Sequence, residues 1–168
     1  MSGPFGSSQL FLYPSGIAYL GDRAVVAGGV IVGSTVIDDI DYFSIGTLGN
    51  ASDFGELQGN TYQTAGLSSG SRGVFVAGWV GAYSNRIDYI TIASTGNASD
   101  FGNATTTCSG NFGTSDGTRG VYGSGSGQSS NYSNHIEHIT IASTGNGADF
   151  GNLVSDAASR APSSCSGD

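Results

Sequence analysis

Hydrophobic and polar residues alternate along short segments of this chain, and no segment keeps a helical period. The alternation is clearest between Ile87 and Ile92, where the order is Ile-Asp-Tyr-Ile-Thr-Ile. A period of two predicts half-buried β-strands, whereas an amphipathic helix needs apolar residues three and four positions apart over about ten residues or more. The pattern therefore predicts an all-β fold.

The alternating segments belong to an internal repeat. Residues 87–102 read Ile-Asp-Tyr-Ile-Thr-Ile-Ala-Ser-Thr-Gly-Asn-Ala-Ser-Asp-Phe-Gly, and residues 136–151 return this pattern with few changes. Residues 40–55 carry a more diverged copy. A fixed period of this size predicts a repeat architecture in which neighbouring units bury a shared core.

Four short strands are predicted in each repeat, named A to D. In the second repeat they are strand A at 62–67, strand B at 72–78, strand C at 87–92 and strand D near 99–101. The distance from the arginine that opens strand B to the first acid of strand C varies between repeats, and loops tolerate such changes better than paired strands do. The segments expected to be variable loops are 30–39, 79–86 and about 126–135.

Charged residues recur at fixed places in the repeat, and symmetric recurrence is typical of framework residues. We expect them to form a structural network in each repeat, with bidentate bonds from arginine to carboxylate. The arginines are Arg23, Arg72 and Arg119, the first acids are Asp41, Asp88 and Glu137, and the second acids are Asp53, Asp100 and Asp149.

These residues resemble the kelch repeat. A glycine-terminated strand, a variable loop, a strand with a tyrosine, a turn and an aromatic closing strand follow one another in both. The sequence of the second repeat is similar to kelch-like repeats of marine tailed-phage (cyanophage-type) structural proteins. It reads Arg-Gly-Val-Phe … Ile-Asp-Tyr-Ile-Thr-Ile-Ala-Ser-Thr-Gly-Asn-Ala-Ser-Asp-Phe-Gly. The double glycine remains only as Gly28-Gly29, and Phe54, Phe101 and Phe150 replace the closing tryptophan. The resemblance implies four-stranded β-propeller blades.

Three such repeats are fewer than the roughly four to eight blades of a closed propeller. We expect the chain to form one repeat domain over 1–168 that is completed by oligomerisation, because strand edges left open invite aggregation. A β-trefoil, which closes within one chain, is the alternative. The expected units are about 5–53, 54–100 and 101–149, with a partial repeat at 150–168.

Composition narrows the function. Glycine supplies 29 of 168 residues, which excludes a helical bundle, and the net charge of −8 disfavours nucleic acid as a partner. The sequence shows no signal peptide and no apolar run long enough to cross a membrane. Two cysteines, Cys108 and Cys165, make no disulfide framework, and whether they are oxidised stays open.

Catalytic and metal-binding patterns are absent from the sequence, so no enzyme activity, metal or cofactor is predicted. Exposed aromatic side chains beside asparagine can stack on sugar rings and bond their hydroxyl groups. This favours a glycan-binding surface on the variable loops. Its candidate residues are Trp79, Tyr83, Asn85, Tyr132 and Asn134.

Taken with the phage resemblance, these features predict a non-enzymatic structural protein of a virion. The expected role is an appendage, fibre or surface-decoration component that adheres to host-surface glycans. The expected partners are further copies of the chain and other virion proteins. A purely architectural subunit of a ring or filament is the alternative, and a trefoil lectin is another.

Overall fold

The structure, a computed structural model, describes residues 22–127 and 133–157, and the regular structure in this part of the chain is entirely β. The strands are β1 (Arg23–Ile31), β2 (Thr35–Ser44), β3 (Ser52–Glu56), β4 (Ala65–Ser68), β5 (Arg72–Trp79), β6 (Tyr83–Thr91), β7 (Ser99–Ser109), β8 (Phe112–Ser115), β9 (Arg119–Gly127), β10 (Ser133–Thr140) and β11 (Ala148–Ala157). Successive side chains of a strand point to opposite faces, so β5 in the second repeat contributes Val74 and Val76 to one apolar cluster and Phe75 to another.

The strands pair antiparallel within successive repeats. The first repeat is the sheet β1-β2-β3, the second holds β4 to β7, and the third holds β8 to β11. Strands β7 and β9 join the last two repeats into one curled sheet of eight strands that resembles half a barrel. The predicted all-β class is confirmed. None of the described residues forms a helix that could span a membrane.

Two of the predicted loops are largely strand, which corrects the sequence reading. Segment 30–39 contains the end of β1 and the start of β2, and segment 79–86 contains the tip of the β5–β6 hairpin. The hairpins turn within the residues 32–34 and 80–82. A hairpin changes its length by adding paired residues to both strands, so variable length did not indicate irregular backbone. Residues 128–132 of the third segment lie outside the described part.

Every repeat has a β-bulge at its closing phenylalanine. Ile87 pairs with Gly102, but the next residue, Asp88, pairs with Asp100, so Phe101 is the extra residue. The same step in register occurs in the other two repeats. Gly102 has a φ of 145°, a conformation that side chains disfavour, which explains why glycine follows phenylalanine each time.

The core lies between consecutive repeats rather than within one. Ile40 and Phe54 of the first repeat pack with Ile90 and Phe75 of the second. A larger cluster joins the second repeat to the third and includes Val74, Val76, Ile87, Phe101, Tyr122, Ile139 and Ile141. The second repeat thus buries apolar surface on both sides, because it contacts the first repeat on one face and the third on the other.

Main-chain hydrogen bonds lock each repeat to the next one. The N–H of Gly96 donates to the carbonyl of Phe54 (2.7 Å), and the N–H of Gly145 donates to the carbonyl of Phe101 (2.8 Å). In the second and third repeats, the asparagine of the Gly-Asn turn (Asn97 or Asn146) also accepts, through Oδ1, a bond from the preceding repeat. The predicted tight turn is therefore also a docking element.

We call the surface that a repeat presents to the preceding repeat its leading face, and the opposite one its trailing face. The leading face of the first repeat comprises Val26, Phe43, Ile45, Gly49 and Asn50. The trailing face of the third repeat comprises Arg119, His138, Phe150, Gly151 and Val154.

Candidate functional site

An aromatic pair stands at the tip of the β5–β6 hairpin. Trp79 and Tyr83 are cross-strand partners, and their rings meet edge to face with centroids 4.8 Å apart. The main chain of Trp79 also exchanges two hydrogen bonds with Tyr62, at 2.8 and 3.2 Å. Both rings are half-buried, and Val80 beside them is exposed. The hairpin tip therefore presents a fixed, amphipathic surface.

The two predicted asparagine ligands take part in the sheet. Asn85 donates through Nδ2 to the carbonyl of Ala104, and Asn134 donates through Nδ2 to the carbonyl of Leu153, both at 3.3 Å. They occupy equivalent positions in the second and third repeats, so they belong to different hairpins. Tyr132 lies outside the described residues. The structure thus joins Trp79 and Tyr83 into one patch and gives each asparagine amide a partner in its own repeat.

The repeated arginines make different contacts from the carboxylate pairs expected. Arg72 lies over the ring of Tyr89, with its guanidinium carbon 4.3 Å from the centroid, and donates to the carbonyl of Ile141 at 2.9 Å. Arg23 lies over Tyr42 in the same way and donates to a carbonyl of the second repeat. Each of these arginines therefore connects its own repeat to the following one.

Arg119 occupies the third arginine position on the trailing face. Its side chain is exposed, and its main-chain N–H donates to Oδ1 of Asp116. His138 replaces the tyrosine over which the other arginines lie. Within the described residues, the guanidinium of Arg119 has no hydrogen bond comparable with those of Arg23 and Arg72.

The first acids of the second and third repeats are buried. Asp88 is 2% exposed, and its Oδ2 accepts from Nε of Arg86 at 2.9 Å. Burial raises the pKa of Asp88 above its ordinary value, because it disfavours the charged form, while Arg86 acts in the opposite direction. Oδ2 also accepts a long bond from the N–H of Gln58, in the preceding repeat.

Glu137 is the equivalent of Asp88 and is 1% exposed. Its Oε2 accepts from the N–H of Thr105 (2.8 Å) and from the hydroxyl of Tyr122 (2.9 Å), while Oε1 accepts from the hydroxyls of Thr105 and Thr106. Burial, reinforced by the Glu137 charge, raises the pKa of Tyr122. The phenol therefore stays protonated and can donate to the carboxylate.

The remaining acids are exposed. Asp41, the first acid of the first repeat, stands on an uncovered face, unlike Asp88 and Glu137. The second acids Asp53, Asp100 and Asp149 pair across the strands with the first acids of their repeats. Asp100 and Asp149 each accept a bond from the glycine two residues later, so these two carboxylates support the bulge.

His138 occupies the position of Tyr42 and Tyr89. Its ring meets Phe150 edge to face at 5.8 Å, as Tyr89 meets Phe101 at 6.0 Å. Within residues 22–127 and 133–157, no three histidine, cysteine or acidic side chains are grouped as a metal ion would require. Cys108 is a buried free thiol, and burial raises its pKa to about 11. Cys165 lies outside the described residues.

Sequence reasoning missed the groups that surround the buried acids. Arg86 donates to the carbonyl of Gly59 as well as to Asp88, and His135 stands at the equivalent position of the third repeat, with Nε2 3.5 Å from Oε1 of Glu137. Gly147 was also overlooked. A Cβ at this position would lie 2.6 Å from Oε2 of Glu137 and would also meet the Tyr122 hydroxyl. The sequence does carry a signal for this cluster. Asp88, Phe75 and Ala98 of the second repeat are all replaced in the third, by Glu137, Tyr122 and Gly147.

The two outer faces of the array expose apolar side chains whose equivalents are buried elsewhere. Phe43 is 38% exposed, whereas Ile90 and Ile139 at the same position are each 3% exposed. Phe150 is 50% exposed, whereas Phe54 is 2% exposed. The difference arises because the inner positions are covered by a neighbouring repeat. Both outer faces therefore leave apolar side chains exposed at positions that are buried inside the array.

A shallow cleft of about 250 Å³ lies beside the Gly-Asn turn of the second repeat, between Tyr89 and Ser99. It is lined by residues with small hydroxyl side chains, such as Ser94 and Thr95, and by Asn97. These groups offer hydrogen bonds but no charged group or nucleophile with a base beside it.

No protein-family model matches this chain, and no curated protein matches it significantly. The site is therefore interpreted from its geometry. The described residues hold aromatic stacking surface at one hairpin tip and two uncovered contact faces at the ends of the repeat array.

Proposed function

We propose that this chain is a structural building block of a phage particle, made of kelch-like propeller blades whose array continues across subunits. The observation that carries this proposal is the exposure of Phe43 and Phe150 at positions that are buried inside the array. Large exposed apolar patches mark interaction surfaces, and repeat arrays bury such surface by stacking. The phage particle is proposed because the repeat sequence is similar to phage kelch-like repeats.

The proposal is tested by locating the protein in purified particles. Mass spectrometry of gradient-purified virions from an infected culture is expected to detect the chain at many copies per particle. Electron microscopy of the isolated protein is expected to show rings or filaments with a blade-like subdivision. A chain that stays in the soluble lysate and forms a closed trefoil on its own would refute the proposal.

A second candidate function is adhesion to glycans through the β5–β6 hairpin. The favouring observation is the edge-to-face pair of Trp79 and Tyr83, both half-buried at a hairpin tip. A half-exposed indole fixed by a neighbouring ring suits stacking against a sugar. This function is compatible with a structural role, because the hairpin tip is separate in sequence from both outer faces.

A glycan array tests this second candidate. Wild-type protein is expected to bind a restricted set of saccharides, and Trp79→Ala and Tyr83→Ala are each expected to weaken binding at least tenfold. Val80→Ala, at the same hairpin tip but without an aromatic ring, is the matched control and is expected to bind as wild type. Binding that survives both aromatic substitutions would exclude this surface.

A further inference from the structure

The two boundaries between repeats inside the chain use the same hydrogen bonds at equivalent positions. In both, a glycine N–H from the Gly-Asn turn donates to the carbonyl of the preceding phenylalanine. In both, the asparagine Oδ1 accepts a bond from the main-chain N–H two residues after this phenylalanine. Asn97 accepts from Glu56, and Asn146 accepts from Asn103. A boundary is therefore a repeated docking geometry with known donors and acceptors.

The chain carries one further copy of each half of this boundary. Gly49 and Asn50 form the Gly-Asn turn of the first repeat, and Phe150 is the closing phenylalanine of the third. A Cβ on Gly151 would meet nothing within 4 Å. On Gly55 and Gly102, its equivalents in the first two repeats, a Cβ would clash with the Gly-Asn turn of the next repeat. The two outer faces thus keep the residues that dock repeats inside the chain, but neither face has a docking partner among the described residues.

Inside the chain, a trailing face receives a Gly-Asn turn and an isoleucine that directly follows a strand, Ile92 or Ile141. The sequence of residues 158–168 contains neither an isoleucine nor a Gly-Asn pair. The leading face of a second copy contains both, and it is itself uncovered at Phe43 and Ile45. The internal boundaries show that faces of these two kinds fit each other.

We propose that a second copy of the chain docks head to tail, with its leading face on the trailing face of the first copy; this inference rests on the proposed structural function. The contacts at this boundary between copies follow from the equivalent contacts at the internal boundaries. The N–H of Gly49 donates to the Phe150 carbonyl, and the N–H of Asn152 donates to Oδ1 of Asn50.

Charge also fits this pairing. Inside the chain, Arg72 donates to the carbonyl of Ile141, and the equivalent bond between copies runs from Arg119 to the carbonyl of Ile45. Arg119 is exposed on the trailing face, while Asp41 is exposed on the leading face. The contact thus brings an uncovered cation and an uncovered anion to one boundary.

The two faces differ, so the contact is heterologous and leaves one free face of each kind on every dimer. Such contacts propagate until they close a ring or extend a filament. This property allows a test by complementation. A copy with a blocked leading face and a copy with a blocked trailing face can form one contact and no more.

The experiment uses full-length Phe43→Asp and Phe150→Asp, measured by sedimentation velocity and mass photometry over a concentration series. Wild type is expected to form species larger than dimers. Each variant alone is expected to remain monomeric, and an equimolar mixture is expected to form a dimer that does not grow. Val32→Asp, at an exposed hairpin position outside both faces, is the control and is expected to assemble as wild type. Circular dichroism checks that every variant is folded.

A milder variant keeps the test valid if an aspartate disturbs folding. Arg119→Ala removes the predicted bond between copies and is expected to weaken association about tenfold or more. Variants that stay monomeric when mixed, while wild type assembles, would overturn head-to-tail docking but leave the structural function standing. Wild type that is monomeric at all concentrations would overturn both head-to-tail docking and the structural function. If Phe5→Asp then assembled, the chain's own first segment would be identified as the occupant.

Discussion

Arg72 donates a hydrogen bond to the main-chain carbonyl of Ile141 at 2.9 Å, across 69 residues of sequence. The same guanidinium lies over the ring of Tyr89. One side chain therefore connects two repeats. Because its partners are a carbonyl and an aromatic ring, the recurring arginine needs no carboxylate beside it. Hydrogen bonds from charged groups and cation–π contacts each stabilise folded proteins measurably.

Arg72→Ala is expected to lower the free energy of unfolding by about 2 kcal/mol, because it removes both contacts. Arg119→Ala is the matched control, since its exposed side chain lacks these contacts within the described residues, and it is expected to change stability by less than about 0.5 kcal/mol. Urea denaturation at low protein concentration measures both. Equal losses in the two variants would contradict the assigned role of Arg72.

Gly147→Ala is expected to destabilise the protein by about 1–3 kcal/mol, because the added methyl group would overlap the Glu137 carboxylate and the Tyr122 hydroxyl. Gly145→Ala lies in the same turn, where a Cβ meets nothing within 4 Å, and is expected to be nearly neutral. Thermal unfolding of the two variants distinguishes steric overlap from a general loss of glycine in the turn. In the double variant Gly147→Ala/Tyr122→Phe, part of the stability should return.

Ala77 has a φ of 57°, a left-handed conformation that costs an alanine roughly 1–2 kcal/mol. Its equivalent in the first repeat is Gly28, with a φ of 67°. Ala77→Gly is therefore expected to be nearly neutral, since relief of strain offsets the lost methyl burial. Ala65→Gly, also buried but without positive φ, is expected to lose about 1–2 kcal/mol. A larger loss for Ala77→Gly than for Ala65→Gly in urea denaturation would contradict this.

The buried Asp88 predicts an unusual pH dependence. Its pKa is raised above the ordinary 3.8, so the folded state binds a proton more tightly than the unfolded state does. Its contribution to stability therefore decreases as the pH rises from 3.8 through the raised pKa. Compared with Asp88→Asn, wild type should gain relative stability as the pH falls toward about 4.

Asp116 provides a control of opposite sign. Backbone N–H bonds from Arg119 and Thr118 lower the pKa of this exposed carboxyl below 3.8. Its contribution is present above 3.8 and is lost as the pH falls through the lowered pKa. Wild type should therefore lose stability relative to Asp116→Asn in acid. Urea denaturation measures both profiles, and profiles of the same sign for the two variants would contradict one of the two assignments.

Much of the architecture could be predicted because it repeats. Alternation in residues 87–92 indicated a strand, and the Gly-Asn pair indicated a turn, since both depend on local backbone preferences. The partners of Arg72 could not be predicted. A main-chain carbonyl carries no sequence signal, so its use by a side chain 69 residues away is visible only in three dimensions.

The contacts of the residues proposed for glycan binding were predictable to a similar extent. Trp79 and Tyr83 are four residues apart, and the hairpin makes them cross-strand partners. Asn85 and Asn134 have polar side chains that suit a ligand, yet both amides donate within the sheet. Composition cannot distinguish an asparagine that binds a ligand from one that satisfies a buried carbonyl, because the chemistry of the two roles is the same.

The sequence by itself determined the all-β class, the repeat and the positions of its framework residues, because strand alternation and turn chemistry act over a few residues. Only the tertiary structure decided which acids are buried and which faces stay open. Asp41, Asp88 and Glu137 occupy one position in the repeat, but Asp41 alone among them is exposed. Burial depends on whether another repeat covers the position, and that is a property of the assembled array rather than of the residues.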